Sequence, residues 1–209
     1  MIKSKLATLL FLYTALISNA KTENTINSLE SFLQGLNSLE VDFTQILMNE
    51  NGRELERASG VLYLKKPGKF YWNYQHPYSQ KIITNGKILW IFDEDLEQVT
   101  IKNIDNSISK TPAGIILADD SIQEHFVQTS LGVIENFDWI ELTPRYIEAQ
   151  YDYIKIGFNK NKLGMMIIAD NLGQTTRIDF SSVQKNTALS ASFFNFDIPK
   201  NIDIFDERK

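Results

Sequence analysis

Gly60-Val61-Leu62-Tyr63-Leu64-Lys65-Lys66-Pro67-Gly68-Lys69-Phe70-Tyr71-Trp72 is the stretch on which the reading of this chain turns. Six residues of alternating character reach Lys65, a Lys-Pro-Gly-Lys turn follows, and a second alternating run goes from Phe70 to Gln75. This is the pattern of a β-hairpin. An antiparallel sheet usually has one apolar and one polar face. Here Phe70, Trp72 and Tyr74 share one face while Tyr71 lies on the other, and in Leu89-Trp90-Ile91-Phe92 neither face is polar. A strongly curved sheet, with helices inside its concavity and the remaining apolar surface lining a cavity, uses strands of this kind. A normally filled sandwich or barrel core has the same composition, so the pattern alone leaves both open.

Working outward, period-two alternation starts at Val41 and runs through Phe43, Gln45 and Leu47 to the turn signal Asn51-Gly52. Strands are expected at 60–65, 70–75, 80–84, 88–92 and 98–102, separated by His76-Pro77, Asn85-Gly86 and Asp93-Glu94-Asp95. After an interruption they resume at 137–142, 153–158, 165–169, 175–183 and 193–196. Short strands with short turns indicate an extensive antiparallel sheet. Two places break the period. Ile26, Leu29, Leu33 and Leu36 recur at helical spacing, which predicts an amphipathic helix from Thr22 to Leu39. Thr111-Pro112 opens a short apolar segment through Ala118 that reads as a helix starting at Pro112, and Ser121 to Gln128 reads as another.

Residues 1–20 read as an address. Lys3 and Lys5 precede an apolar run from Leu6 to Ile17, and Ser18-Asn19-Ala20 offers small residues for cleavage. The run is too short for a span of roughly 20 residues. The expected mature chain is a single exported domain, 21–209, without the two lysines, so its net charge moves from -5 to -7. The acidic balance argues against nucleic acid as a partner. The chain has no Cys, which excludes disulfides, thiol nucleophiles, thiolate metal cages and a lipid-modified Cys.

No catalytic constellation emerges. His76 precedes Pro77 in a turn, His125 has only Glu124 beside it, and no Ser stands in a nucleophile-elbow context. The acidic group Asp93, Glu94, Asp95 and Glu97 lacks the calcium-loop pattern and reads as a solvated hairpin turn. No metal, cofactor or catalytic residue is expected, and the chain does not read as an enzyme.

The 60–72 stretch resembles the signature of the LolA family of periplasmic outer-membrane lipoprotein carriers. So do Asn85-Gly86-Lys87-Ile88-Leu89-Trp90-Ile91-Phe92-Asp93 with Leu96-Glu97-Gln98-Val99, Phe43-Thr44-Gln45, Thr111-Pro112-Ala113-Gly114-Ile115-Ile116-Leu117, and the tail Asp206-Glu207-Arg208-Lys209. The resemblance implies a mainly β fold with α: an incomplete, half-open antiparallel β-barrel with an N-terminal helix and a short helical lid in its concave face. It implies a monomeric periplasmic chaperone that takes triacylated lipoproteins from the inner-membrane ABC transporter LolCDE and hands them to the outer-membrane receptor LolB. LolB shares the fold but is itself a lipoprotein, so the lack of Cys favours the soluble carrier. On this reading Phe43, Phe70, Trp72, Trp90, Ile115, Ile116 and Leu117 are the expected cavity and lid residues. The family's arginine latch, just before the Pro of the motif, is replaced by Lys66. A compact ammonium offers three donors where a guanidinium offers five in a planar fork, so a weaker latch, or one carried by another residue, is expected; the competing reading is a solvated turn charge. The competing reading is a periplasmic lipid or lipoprotein sensor built on the same half-barrel. Such sensors carry a further domain, for which residues 21–209 leave no room.

Overall fold

A computed structural model describes residues 28–104, 122–146, 149 and 151–208. Helix α1 is seen at 28–33, where Leu29, Phe32 and, just beyond, Leu36 turn buried side chains to one face of the sheet. The helix expected to reach Leu39 stops sooner. Gln34 N donates to Glu30 O at 2.7 Å, and Gly35 then takes a φ of 66°. A Cβ there would meet nothing within 4 Å, so the glycine serves the left-handed backbone of a helix C-terminus rather than space. Strand β1 (Ser38–Met48) begins three residues later. Leu39 fits the helical spacing of Leu29 and Leu36, but it fits equally the alternation of Leu39, Val41 and Phe43, and the strand prevails.

Two meanders make one sheet. The first is β1, β2 (Glu54–Lys65), β3 (Lys69–His76), β4 (Gln80–Thr84), β5 (Ile88–Asp93) and β6 (Gln98–Asn103). The second is β7 (Phe126–Ile134), β8 (Phe137–Pro144), β9 (Tyr151–Asn159), β10 (Lys162–Asp170) and β11 (Thr175–Lys185). A last strand, β12 (Asp203–Asp206), follows. The order is β12-β6-β5-β4-β3-β2-β1-β11-β10-β9-β8-β7, antiparallel throughout except for the parallel β12–β6 pair. β11 returns to pair with β1 and joins the meanders, while β7 and β12 stand at opposite ends of the order. The sheet is therefore an open, curled one: an incomplete barrel, as expected.

Around β3 to β6 both faces are apolar because both are covered. On the inner face α1 packs on Leu39, Val41, Phe43, Leu62, Leu64 and Phe70 from the first meander and on Ile140, Ile154, Phe158 and Met166 from the second. On the outer face Ile83, Trp90, Phe92, Val99 and Ile101 form a separate cluster beneath Phe196 and Ile202 of the C-terminal segment. That segment accounts for the two-sided strands 70–74 and 89–92. It is not the strand expected at 193–196. It forms a 3-10 turn, Ala191–Phe194, whose first residues are capped by Ser190 Oγ, which accepts from Phe193 N at 3.2 Å. Phe194 is fully buried there. Two strands escaped the sequence reading. The helix expected over 121–128 is a single turn, α2 (Ile122–His125), before β7 begins, and β12 is short and wholly exposed. Both stand at the ends of the sheet, and β12 is exposed at all four positions, so no buried face imposes an alternation on it. The short helix expected from Pro112 lies outside the described residues.

Gly60 has a steric reason. A Cβ on it would lie 1.9 Å from Asn73 O of the neighbouring strand, at the point where the β2–β3 register shifts. The opening hairpin therefore requires a residue without a side chain where it begins to pair.

Candidate functional site

The inner face carries an aromatic wall. Phe43 on β1 pairs across with Gly60 on β2, and Gly60 pairs with Tyr74 on β3. Because the middle strand has no side chain in this row, Phe43 and Tyr74 meet over it, with ring centroids 5.1 Å apart and nearly perpendicular planes. Trp72, two residues along β3, approaches Phe43 edge-on at 5.5 Å and lies parallel to Tyr74 at 5.9 Å. Such edge-to-face and stacked pairs each contribute about 0.5–1.5 kcal/mol beyond their buried area. Phe70 continues the wall toward α1. The Trp72 indole N–H is buried and, among the described residues, has no acceptor. Leaving a buried donor unmade costs about 1–3 kcal/mol.

Away from α1 the wall opens into a cavity of about 460 Å³. Ala58, Tyr74 and Gln45 form its floor, and Glu56, His76, Pro77, Gln80, Asp93 and Leu96 line its sides. The strand residues among them, apart from His76 beyond the β2–β3 register shift, lie in the inner-facing register of Phe43, Leu62 and Trp72. Tyr74 Oη donates to Gln45 Oε1 at 3.2 Å. Burial, and next the charge of Glu56, push the Tyr74 hydroxyl up to about 12, so it remains a neutral donor at any physiological pH. The chemistry on offer is apolar surface from Ala58, Pro77 and Leu96 beside a neutral hydroxyl and two amides, bordered by the carboxylates of Glu56, Asp93 and Asp95. His76 sits on the rim, and among the described residues no three His, Asp or Glu side chains gather as metal ligands.

Of the residues singled out from sequence, Phe43, Phe70 and Trp72 come together on the inner face. Trp90 does not join them. It pairs across with Ile83 and Ile101 and is buried in the outer cluster under the C-terminal segment. The correction follows from strand alternation: Leu89 and Ile91 take the inner positions of β5, so Trp90 and Phe92 point outward. Ile115, Ile116 and Leu117 lie outside the described residues. Lys66 stands in the β2–β3 turn, where its N–H donates to Asn37 O at 2.9 Å beyond the end of α1. Its neighbour Lys65 reaches the other way, Nζ donating to Leu189 O of the C-terminal segment. Tyr74 and Gln45 were not singled out, although the alternation that picks Phe43 and Trp72 selects them equally.

The family model described as "Outer membrane lipoprotein carrier protein LolA" matches residues 34–197. An outer-membrane lipoprotein carrier protein of Methylococcus capsulatus is 36% identical over 190 residues, covering 90% of this chain and 91% of that one. One of Nitrosospira multiformis is 32% identical over 198 residues, covering 94% and 96%. Among solved structures, an uncharacterized conserved protein from Thermus thermophilus shares the fold with a TM-score of 0.55 at 8% identity, covering 88% of this chain and 98% of that one.

Proposed function

Because this chain belongs to the outer-membrane lipoprotein carrier family, we propose that it carries lipoproteins through the periplasm by burying their acyl chains against the inner face of its sheet. The observation that carries this reading is the aromatic wall of Phe43, Phe70, Trp72 and Tyr74 running into an open cavity on that face. Each buried CH2 contributes about 0.8 kcal/mol, so one long acyl chain is worth on the order of 10 kcal/mol. A protein bearing three such chains stays on its membrane unless another apolar surface accepts them. Generic apolar side chains accept without the directional contacts that would make release slow. A neutral Tyr74 and the unpaired Trp72 N–H add weak polar contacts where an acyl chain joins its amide or ester.

On this proposal residues 1–20 are a cleaved signal peptide and 21–209 form the single carrier domain. The chain works as a periplasmic monomer, without cofactor or catalysis. LolCDE supplies the cargo and LolB receives it. Ile115, Ile116 and Leu117 form the lid, with Lys66 as its latch. The test is to incubate the purified mature protein with spheroplasts. Outer-membrane lipoproteins should leave the cells in soluble 1:1 complexes with it. Lipid turnover would mark an enzyme instead, and failure to release any lipoprotein would refute the carrier reading.

A further inference from the structure

The two ends of the sheet are built differently. β12 has four residues, two of them Asp203 and Asp206, and Glu207 just beyond pairs with Lys102 at 3.0 Å. Short, charged strands are how sheets keep foreign strands from adding to their edges. β7 has nine residues, Phe126–Ile134, with neither charge nor proline, and among the described strands it pairs only with β8. Its ladder is regular from Phe126 to Ser130 and breaks at a bulge before Gly132. At its start the Phe126 carbonyl already accepts from Arg145 Nε at 3.2 Å, but beyond it the stretch offers main-chain donors and acceptors on its outer edge, which is the chemistry that recognises an extended peptide.

A second observation sets which side the peptide comes from. Gln128 lies between Phe126, buried in the inner cluster, and Ser130, and pairs across with buried Leu142, so it faces inward. Its Oε1 is buried and, among the described residues, has no donor. The hydrocarbon of an acyl chain has no N–H to give it and its amide link has only one, whereas a polypeptide passing from the concavity over this edge has one at nearly every residue.

We infer that Phe126–Ser130 is the docking strand for the extended polypeptide that follows the acylated terminus of the carried protein, one of whose amides donates to Gln128 Oε1. This rests on the carrier reading: the wall takes the lipid, and the β7 edge takes the chain attached to it. The same edge gives a place to hold cargo of any sequence, because main-chain pairing reads no side chain.

Two triacylated lipopeptides test it on the full mature protein, one ending a single residue after the acylated Cys and the other eight residues after it. The longer one should bind about tenfold more tightly, the worth of one or two net hydrogen bonds. It alone should slow amide hydrogen exchange in 126–130, with no change in 203–206. Gln128→Pro and Thr129→Pro probe the edge directly, since successive N–H groups point alternately to β8 and to the free side. One of the two should erase the advantage of the longer peptide while the short one still loads. Equal affinity and equal exchange for both peptides would overturn the inference while leaving the carrier reading intact; loading of neither peptide would instead bring down the carrier reading. Protection of 126–130 by an unacylated partner domain, and not by the longer lipopeptide, would overturn it in favour of a partner-protein site.

Discussion

Gly60→Ala should be among the most damaging single-methyl additions to this protein. The new Cβ would lie 1.9 Å from Asn73 O, 2.9 Å from the carbonyl carbon and 3.1 Å from Tyr74 Cα. Real Cβ contacts stay beyond 3.0 Å, so β3 must retreat from β2 by at least 1.1 Å at this point. What yields is backbone, not the end of a flexible side chain. Two effects oppose. Replacing glycine stabilises by about 0.4–1 kcal/mol through the unfolded chain. Overpacking costs about 1–3 kcal/mol even where side chains can adjust, and it should reach the top of that range here. Moving β3 also pulls Trp72 and Tyr74 off Phe43, and those pairs hold about 0.5–1.5 kcal/mol each. The net loss is about 3 kcal/mol, or roughly 6–12 °C in Tm for a domain of this size. Urea and thermal melts read the stability, near-UV circular dichroism reads the aromatic cluster, and lipopeptide loading reads function. A variant within about 1 kcal/mol of the parent, with its aromatic signal unchanged, would refute the reasoning.

Three other outcomes follow from the geometry. Trp72→Ala should weaken lipopeptide loading, whereas Trp90→Ala should cost about 3–5 kcal/mol of stability in urea and leave loading per folded molecule unchanged, since the two indoles lie on opposite faces. Lys66→Arg should slow release of bound lipopeptide and Lys66→Leu should speed it; if neither differs from the parent, Lys66 is no latch. Tyr74 holds its proton to about pH 12 in the fold and to about 10 in the unfolded chain, so its contribution is intact below pH 10 and is lost as the pH climbs to about 12. That loss amounts to about 2–3 kcal/mol. Urea unfolding at a series of pH values should therefore fall less steeply over that window in Tyr74→Phe, and parallel profiles would contradict the assignment.

Strand alternation and turn chemistry act over a few residues, and they made most of the sheet legible. β4 runs over the expected residues, 80–84, and β3, β5, β6 and β8 through β11 extend the expected spans by one to three residues at their ends. β2 starts earlier, at Glu54, because its exposed first turn carries charges that mask the pattern. Phe70 and Trp72 could be placed on one face because they are two residues apart on one strand, whereas Phe43 joins them only through the β1–β2 register that sets it opposite Gly60. Trp90 could not be placed, because in a strand apolar on both sides alternation says which residues share a face but not which face is inside.

Local sequence therefore determined most of the strands, their turns, the lack of any thiol chemistry and the shared face of Phe70, Trp72 and Tyr74. Tertiary structure decided what lies across each face. Residues 191–202 return over β4, β5 and β6 and convert a second apolar face into core, a contact between segments some hundred positions apart that no local pattern encodes. The same long-range packing ends α1 at Gly35 and starts β1 at Ser38, since Leu39 can satisfy either period and only the pairing of β1 with β2 and β11 chooses between them. It also leaves β7 and β12 at the ends of an unclosed sheet, a property of the strand order as a whole.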